Sequence, residues 1–508
     1  MINARSVDLG HLTNEEGQPI PGSTTALEGL AVLGIPIGSA AWASQYCVDK
    51  VREWGEVYPA LRQVPDIQSQ LLLLQYCAHP QFVHMLRGVP PEVLQRAALA
   101  HDTQVQAHMC GLVNSAIPLP EVAVSLSQLP RRWGGNGMTS AQRLAPAGYM
   151  GSWALVWAQI TVLFPHMQTL LPHLGEPEGI DVGELPTALS LQRCQASLQR
   201  SRDEVSAGSA AILPHGAKPE VSLEWSAFGQ SRQKLQKEFS TISHAADFLR
   251  TYEGAGSPAV KARLLSVSER GAQAHWSAIP QFHKFVMDSG QTAAALSLQL
   301  GIPQPSLRGV RRCVCNENID PLGHHYLICN RRGWTVKVHH KLRDTVAAML
   351  KTVFEPGSVS TEPWNHYEYS PRHRPDVVVR NHDGRGNFLI IDTSVAFPCC
   401  ATYARRASRV RLHAAHEHEK DKWRVYGDCG LNTVVPFAME TFGALGAEAT
   451  KLLNRCSEIR NNRLGSEEAE ATWSTRTFTT FWRQRIAVAL QVDIARGIET
   501  RAQLDWRP

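Results

Sequence analysis

Apolar side chains recur every three or four positions over much of residues 26–175. In "DIQSQLLLLQYCAHPQFVHMLRG" and "PPEVLQRAALAHDTQVQAHMCGLV" that spacing predicts helices, and Pro90-Pro91 predicts where the second begins. "RRWGGNGMTSAQRLAPAGYMGSWALVWAQI" breaks at Gly134-Gly135 and resumes as a helix of small residues. Residues 176–224 are richer in Gly, Pro and Ser and read as a linker, followed by more helical periodicity over 225–305. From Cys313 the pattern changes. A short helix leads to two runs, "VVV" and "FLII", that are apolar on both faces and joined by a turn at Asp383-Gly384. A long helix over "ATYARRASRVRLHAAHEHEKDKWRVYG", a strand and another helix follow, and an amphipathic segment, "TFTTFWRQRIAVALQVDIARGI", closes the chain. The expected architecture is multidomain: α-helical in its N-terminal two-thirds, then a small cysteine–histidine knuckle at 306–335, then an α/β core at 336–460. A C-terminal helical extension over 461–508 completes it.

Composition narrows the class. A chain of 508 residues with 43% hydrophobic and 19% charged residues can bury a sizeable core. No apolar run approaches the roughly 20 residues of a membrane helix, and the first residues, "MINARSVDLGHLTNEEG", lack the basic-then-apolar order of a secretory signal. Neither a membrane nor a small-molecule substrate is expected. The 11 cysteines are mostly scattered, which argues for a reducing compartment rather than a disulfide framework.

Three of those cysteines fall in "CVCNENIDPLGHHYLIC". Cys313, Cys315, His324 and Cys329 supply three thiolates and an imidazole for a tetrahedral zinc ion, with Asp320 to Gly323 turning the chain back. His325 competes with His324 for the fourth place. Four protein ligands leave no open position, so the zinc is structural. Between residues 301 and 345 eight basic residues face three acidic ones, an excess that equals the net +5 of the whole chain. Arg311, Arg312, Arg331, Arg332, Lys337, Lys341 and Arg343 are the candidates for phosphate contact.

The two apolar runs carry one acid each. With the hairpin centred on Gly384, Asp376 lies opposite Asp392, their Cβ atoms about 5 Å apart. Two facing carboxylates in a buried hairpin repel and lose hydration, so something must compensate: a shared proton, Arg374 or Arg380, or a divalent cation. The next helix offers a cation. Taken as one helix from Tyr403 to Val425, its apolar face places Lys422 beside the sheet and Lys420 in solvent. His413, His416 and His418 point in different directions on that wheel and read as surface residues.

Together these features resemble the C-terminal region of non-LTR retrotransposon proteins whose endonuclease is restriction-like. That family carries a CCHC knuckle of this spacing, a basic-His helix (here "VHHKLRD"), and an "RPD" strand. A second aspartate strand ("LIIDTSV") and a lysine–aromatic pair (Lys422-Trp423) follow. A PD-(D/E)XK-type core usually has a lysine two residues after the second acid, where Ser394 stands; this family displaces it to the helix. "LGIPIG", "RRWGGNGMTSAQRLAPAGYMGSWA" and "GAQAHWSAIP" are similar to the reverse-transcriptase thumb and the segment preceding the knuckle. No Asp-Asp dipeptide occurs, so the polymerase's own metal-binding box is missing. The resemblance implies a Mg²⁺-dependent DNA endonuclease that nicks a double-stranded target for target-primed reverse transcription. Asp376 and Asp392 would hold Mg²⁺, Lys422 would assist, and Glu362 is a candidate further acid. Zn²⁺ would sit in the knuckle, the element's RNA is a candidate second partner, and a DNA target implies the nucleus. The alternative expectation is a catalytically dead nucleic-acid-binding remnant.

Overall fold

The computed structural model describes residues 29–115, 117–163, 186–214, 221–223, 235–364, 373–426, 429–465, 468 and 470–505. It is mostly helical, with a two-stranded ribbon near the start and a four-stranded mixed sheet in the C-terminal part. No helix among the described residues is long and apolar enough to cross a membrane.

Strands β1 (Gly29–Val32) and β2 (Ile35–Gly38) form a hairpin across Leu33 and Gly34, both at positive φ. Helices follow. Pro91 does open the Pro91–Leu112 helix, whose Leu94, Ala97, Ala98, Val105 and Met109 form its buried stripe. The break at Gly134 has a packing cause: a Cβ there would meet Val267 Cγ2 at 2.8 Å and the Ser268 backbone nitrogen at 2.9 Å. Its φ of 86° is also one that other residues rarely adopt.

The 176–224 interval is not simply a linker. Its described part contains the Pro186–Ala207 helix, which buries Leu191, Cys194 and Leu198 against Met150 and Trp153 on one side and Phe239 and Ile242 on another. A polar outer face lowered the average over that window and hid the buried stripe. Trp225, where the second helical stretch was expected to begin, lies outside the described residues; its helices are Leu235–Glu253, Pro258–Val267 and Ser289–Leu300.

The closing segment is a correction as well. The Phe478–Asp505 helix is buried nearly all round, with Phe481, Trp482, Val488, Leu490 and Ile494 all under 5% exposed. It packs against both the Ser289–Leu300 helix and the Trp334–Val353 helix. A single apolar cluster accordingly runs from Tyr58 and Leu61 through Trp276 and Leu296 to Val346, Ile391 and Ile498. The last helix is a central post rather than an appended extension.

The sheet is ordered β3 (Val359–Thr361), β4 (Val377–Val379), β5 (Leu389–Ala396) and β6 (Thr433–Glu440). The first two pairings are antiparallel and β5 with β6 is parallel. Val377 pairs with Ile391, Val378 with Ile390 and Val379 with Leu389, the register centred on Gly384. Successive side chains alternate between faces. Val377, Val379, Leu389 and Ile391 join the main core, while Val378 and Ile390 pack with Tyr426 on the other face. Asp376 and Asp392 share the parity of that second face. The helix covering it is shorter than expected: the 401–427 stretch is split into Ala404–Ala407 and His413–Tyr426, with Leu412 at φ 57° between them. Val410, counted in the apolar face, is 50% exposed because it falls in the break.

Candidate functional site

Asp376 and Asp392 are brought together at the sheet, and both are buried. Lys422 reaches them from the His413–Tyr426 helix, its Nζ 2.7 Å from Asp392 Oδ1. Lys420, two residues earlier, stands on the outer face and pairs with Glu417 at 3.0 Å. The split of the long helix leaves the phase of its second half unchanged, so the separation of the two lysines stands. Trp423 beside Lys422 is 40% exposed.

Residues outside the expected set complete the cluster. His339, on the Trp334–Val353 helix, places Nε2 3.0 Å from Asp376 Oδ1. Thr393 donates to Asp376 Oδ2 from its backbone nitrogen at 2.6 Å and its hydroxyl at 2.7 Å. Tyr426 bonds Asp392. Burial opposes the charge on Asp376, but the His339 and Thr393 bonds outweigh it and hold its pKa below the usual carboxylate value. Asp392 goes the other way: burial first, then the Asp376 charge, push it up against the pull of Lys422 and Tyr426. One carboxylate is firmly anionic while its neighbour is poised. Sequence contained a pointer to His339 in "VHHKLRD"; Thr393 and Tyr426 carried none, because each acts through the strand register and helix phase.

A cleft of about 450 Å³ opens beside the cluster, with His339, Thr393, Lys422, Trp334, Asp493 and Arg501 among its walls. Ser394, in the place of a strand lysine, also lines it, and its buried hydroxyl has no hydrogen-bond partner. Lys422 fills from the helix the role a lysine at Ser394 would take from the strand. Arg374 and Arg380, weighed as neutralisers of the acid pair, do not serve it. Arg374 binds Glu362 at 2.8 Å, and Arg380 points away and is exposed.

Glu362 stands apart from the cluster. It is held by Arg343 and Arg374 at a residue of positive φ, 41°, and its backbone nitrogen donates to the Asp376 carbonyl at 2.9 Å. It braces the strand that carries Asp376 rather than joining the acid pair. Arg343 is thereby committed to Glu362 and to Asp344, and Arg332 to Asp505 at 2.9 Å. Of the basic flank, Arg311, Arg312, Arg331, Lys337 and Lys341 are exposed. The three helix histidines divide too: His416 is exposed, whereas His413 and His418 are half-buried with their rings against Tyr403.

The second cluster is Cys313, Cys315, His325 and Cys329, whose ligand atoms all lie within 4.8 Å of one another. Cys315 Sγ is 3.2 Å from His325 Nε2, and Cys313 Sγ is 3.9 Å from Cys329 Sγ. A tetrahedral zinc with Zn–S bonds near 2.3 Å requires sulfur atoms about 3.8 Å apart, so the spacing fits. The ligand is His325 and not His324. His324 turns inward with its ring against Phe397 and its Nε2 buried without a partner. Asp320 sets the turn by accepting from the backbone nitrogens of Leu322, His324 and His325. The acid pair also fits a hard cation by its chemistry: Mg²⁺ is commonly held by one or two carboxylates, with water and substrate phosphate completing the shell.

Neither a protein-family model nor a curated protein matches this chain.

Proposed function

We propose that the chain is a restriction-like, Mg²⁺-dependent DNA endonuclease related to the non-LTR retrotransposon proteins it resembles, without a polymerase site of its own. The carrying observation is Lys422, set 2.7 Å from Asp392 by a helix while its neighbour Lys420 faces solvent. Two buried acids and a positioned cation, at the mouth of a cleft, are what hydrolysis of a phosphodiester needs. Asp376 and Asp392 would hold the metal, which when bound lowers the pKa of an attacking water and offsets charge on the scissile phosphate. Lys422 puts a fixed positive charge where the phosphate oxygens gain charge. His339 and Thr393 lock the Asp376 carboxylate in one orientation, so no reorganisation is needed as the reaction proceeds. Arg311, Arg312 and Arg331, beside the zinc-type knuckle, would grip the duplex backbone. A nuclear site of action and the element's RNA as a second partner belong to this same reading.

One observation favours a second reading, a nucleic-acid-binding protein with a dead nuclease. Both carboxylates are already met by protein donors, so the site is stable in charge without any metal. Nicking of supercoiled DNA with Mg²⁺ separates the two. The endonuclease reading expects nicks from the wild type and none from Asp376→Ala; equal and negligible nicking by both would leave the binding protein.

A further inference from the structure

Far from the acid pair in sequence, arginines gather where the helical region meets the C-terminal helix. Arg131 and Arg132 follow Pro130, and Arg483 lies on the Phe478–Asp505 helix; together they line a cleft of about 270 Å³ with Gly271, Ser277 and Gln484. Arg483 runs along the backbone of Gly271, where a Cβ would sit 3.4 Å from its Cδ. Its Nε is buried and has no hydrogen-bond partner, and the neighbouring Gln273 Oε1 is likewise buried and unmatched. Exposed Arg270 adds its charge: burial first, then Arg270, lower the pKa of Arg483. No acid is among the described residues that line this cleft. A cleft of like charges without a counter-charge is costly unless an anion completes it.

Aromatic side chains stand at the edge of the same cleft. The Arg131 guanidinium lies over the Tyr76 ring at 5.5 Å and donates to its hydroxyl. Trp473 meets Tyr76 edge-on, with centroids 5.4 Å apart. Tyr76 is 41% exposed and Trp473 56% exposed, although each has a ring large enough to be buried with profit. Tyr76 also projects from the single π-helical turn Leu74–Ala78, a widened turn of the kind found at functional sites.

We propose that the arginine cleft and the Tyr76–Trp473 platform form a binding site for a single-stranded polynucleotide. The arginines take the phosphates, and the exposed rings take an unpaired base. Arginines with solvent-facing aromatics suit single strands, because a duplex keeps its bases stacked within itself and offers the rings no face. The site is separate from the acid pair and does not depend on the endonuclease reading.

The test is fluorescence anisotropy of the full chain, without Mg²⁺, on labelled 15-nucleotide single strands of DNA and of RNA and on a duplex of equal length. Arg270→Gln should weaken single-strand binding severalfold and flatten the slope of log K against log salt by about 0.7, one phosphate's share. Trp473→Ala should weaken it roughly five- to hundredfold. Both residues are exposed, so both variants should fold. Duplex affinity should stay unchanged in both variants, and Asp376→Ala should bind single strands like the wild type. Tighter binding of RNA or of DNA would identify which strand the site serves, and either supports it. No single-strand binding by the wild type, equal losses on the duplex, or equal binding of polyglutamate would overturn the proposal.

Discussion

The knuckle at 313–329 and the acid pair at the sheet both gather metal-type donors, yet they satisfy them differently. In the knuckle the nearest partners of the donors are one another: Cys315 Sγ with His325 Nε2 at 3.2 Å, and Cys313 Sγ with Cys329 Sγ at 3.9 Å. At the sheet, each acid is held by groups that could not themselves bind a metal in that state, Lys422 on Asp392 and Thr393 on Asp376. Three thiols converging with nothing between them gain much from a bound cation and lose much without it. The acid pair is balanced beforehand. It can therefore admit a metal with the substrate and release it, at little cost to the fold.

That contrast can be broken first at the knuckle. Cys315→Ser or Cys329→Ser should abolish binding of about one zinc per chain. Since zinc binding in such knuckles is worth on the order of 10–16 kcal/mol and is coupled to folding, the 311–335 loop should lose protection from hydrogen exchange. Elemental analysis and exchange mass spectrometry check this; wild-type protein with no metal and three reactive thiols would end it. Changing His324 should spare the metal, and changing His325 should not.

At the sheet the same kind of change should remove activity and keep the fold. Asp392→Asn should abolish Mg²⁺-dependent nicking. The melting temperature of the metal-free variant should be equal to the wild type's or a few degrees higher, because the substitution removes a buried like charge beside Asp376. A large loss of stability would mean the Lys422–Asp392 pair is a structural brace.

A smaller effect concerns the helical region, which holds neutral histidines where the C-terminal part holds charges. Burial pushes His79 down to about 4, His101 to about 3 and His108 to about 4. Their unfolded forms take up protons below about 6.5 while the folded forms do not, so stability should fall as pH drops from 7 to 5, by up to about 2 kcal/mol for each histidine. His101→Gln should flatten that dependence in denaturant titrations; an unchanged curve would show that other groups set it.

The smallest separates basic residues of the knuckle's flanks. Replacing Arg311 and Arg331 with glutamine should flatten the salt slope for duplex binding by about two units, one for each lost phosphate contact. Arg332→Gln, next in the chain but tied to Asp505, should leave that slope alone.

Much of the acid pair was legible because it depends on local rules. The turn at Asp383-Gly384 fixed the register, and a period of two then put Asp376 and Asp392 on one face. A period of 3.6 separated Lys422 from Lys420. What was not legible depended on distant packing. The buried surround of the Phe478–Asp505 helix comes from elements nearly 200 residues earlier, so its own amphipathic pattern pointed to a peripheral helix. The choice of His325 over His324 turned on a short helical turn that aims adjacent side chains apart, one to the cysteines and one to Phe397. Leu412 at positive φ broke a helix that composition alone would have continued. Arg332 and Arg343 looked like phosphate ligands until the fold brought Asp505 and Glu362 to them.

The lysines give the most direct test of the nuclease account. Nicking rates on supercoiled DNA, with duplex affinity measured alongside, should be compared for Lys422→Ala and Lys420→Ala. If Lys422 stabilises the transition state, its loss should cost on the order of 10² or more in rate with affinity little changed. Lys420→Ala, a change at a solvent-facing ion pair, should be nearly silent. Equal losses from the two variants, or full activity in both, would contradict the assignment of the acid–lysine cluster as the site of chemistry.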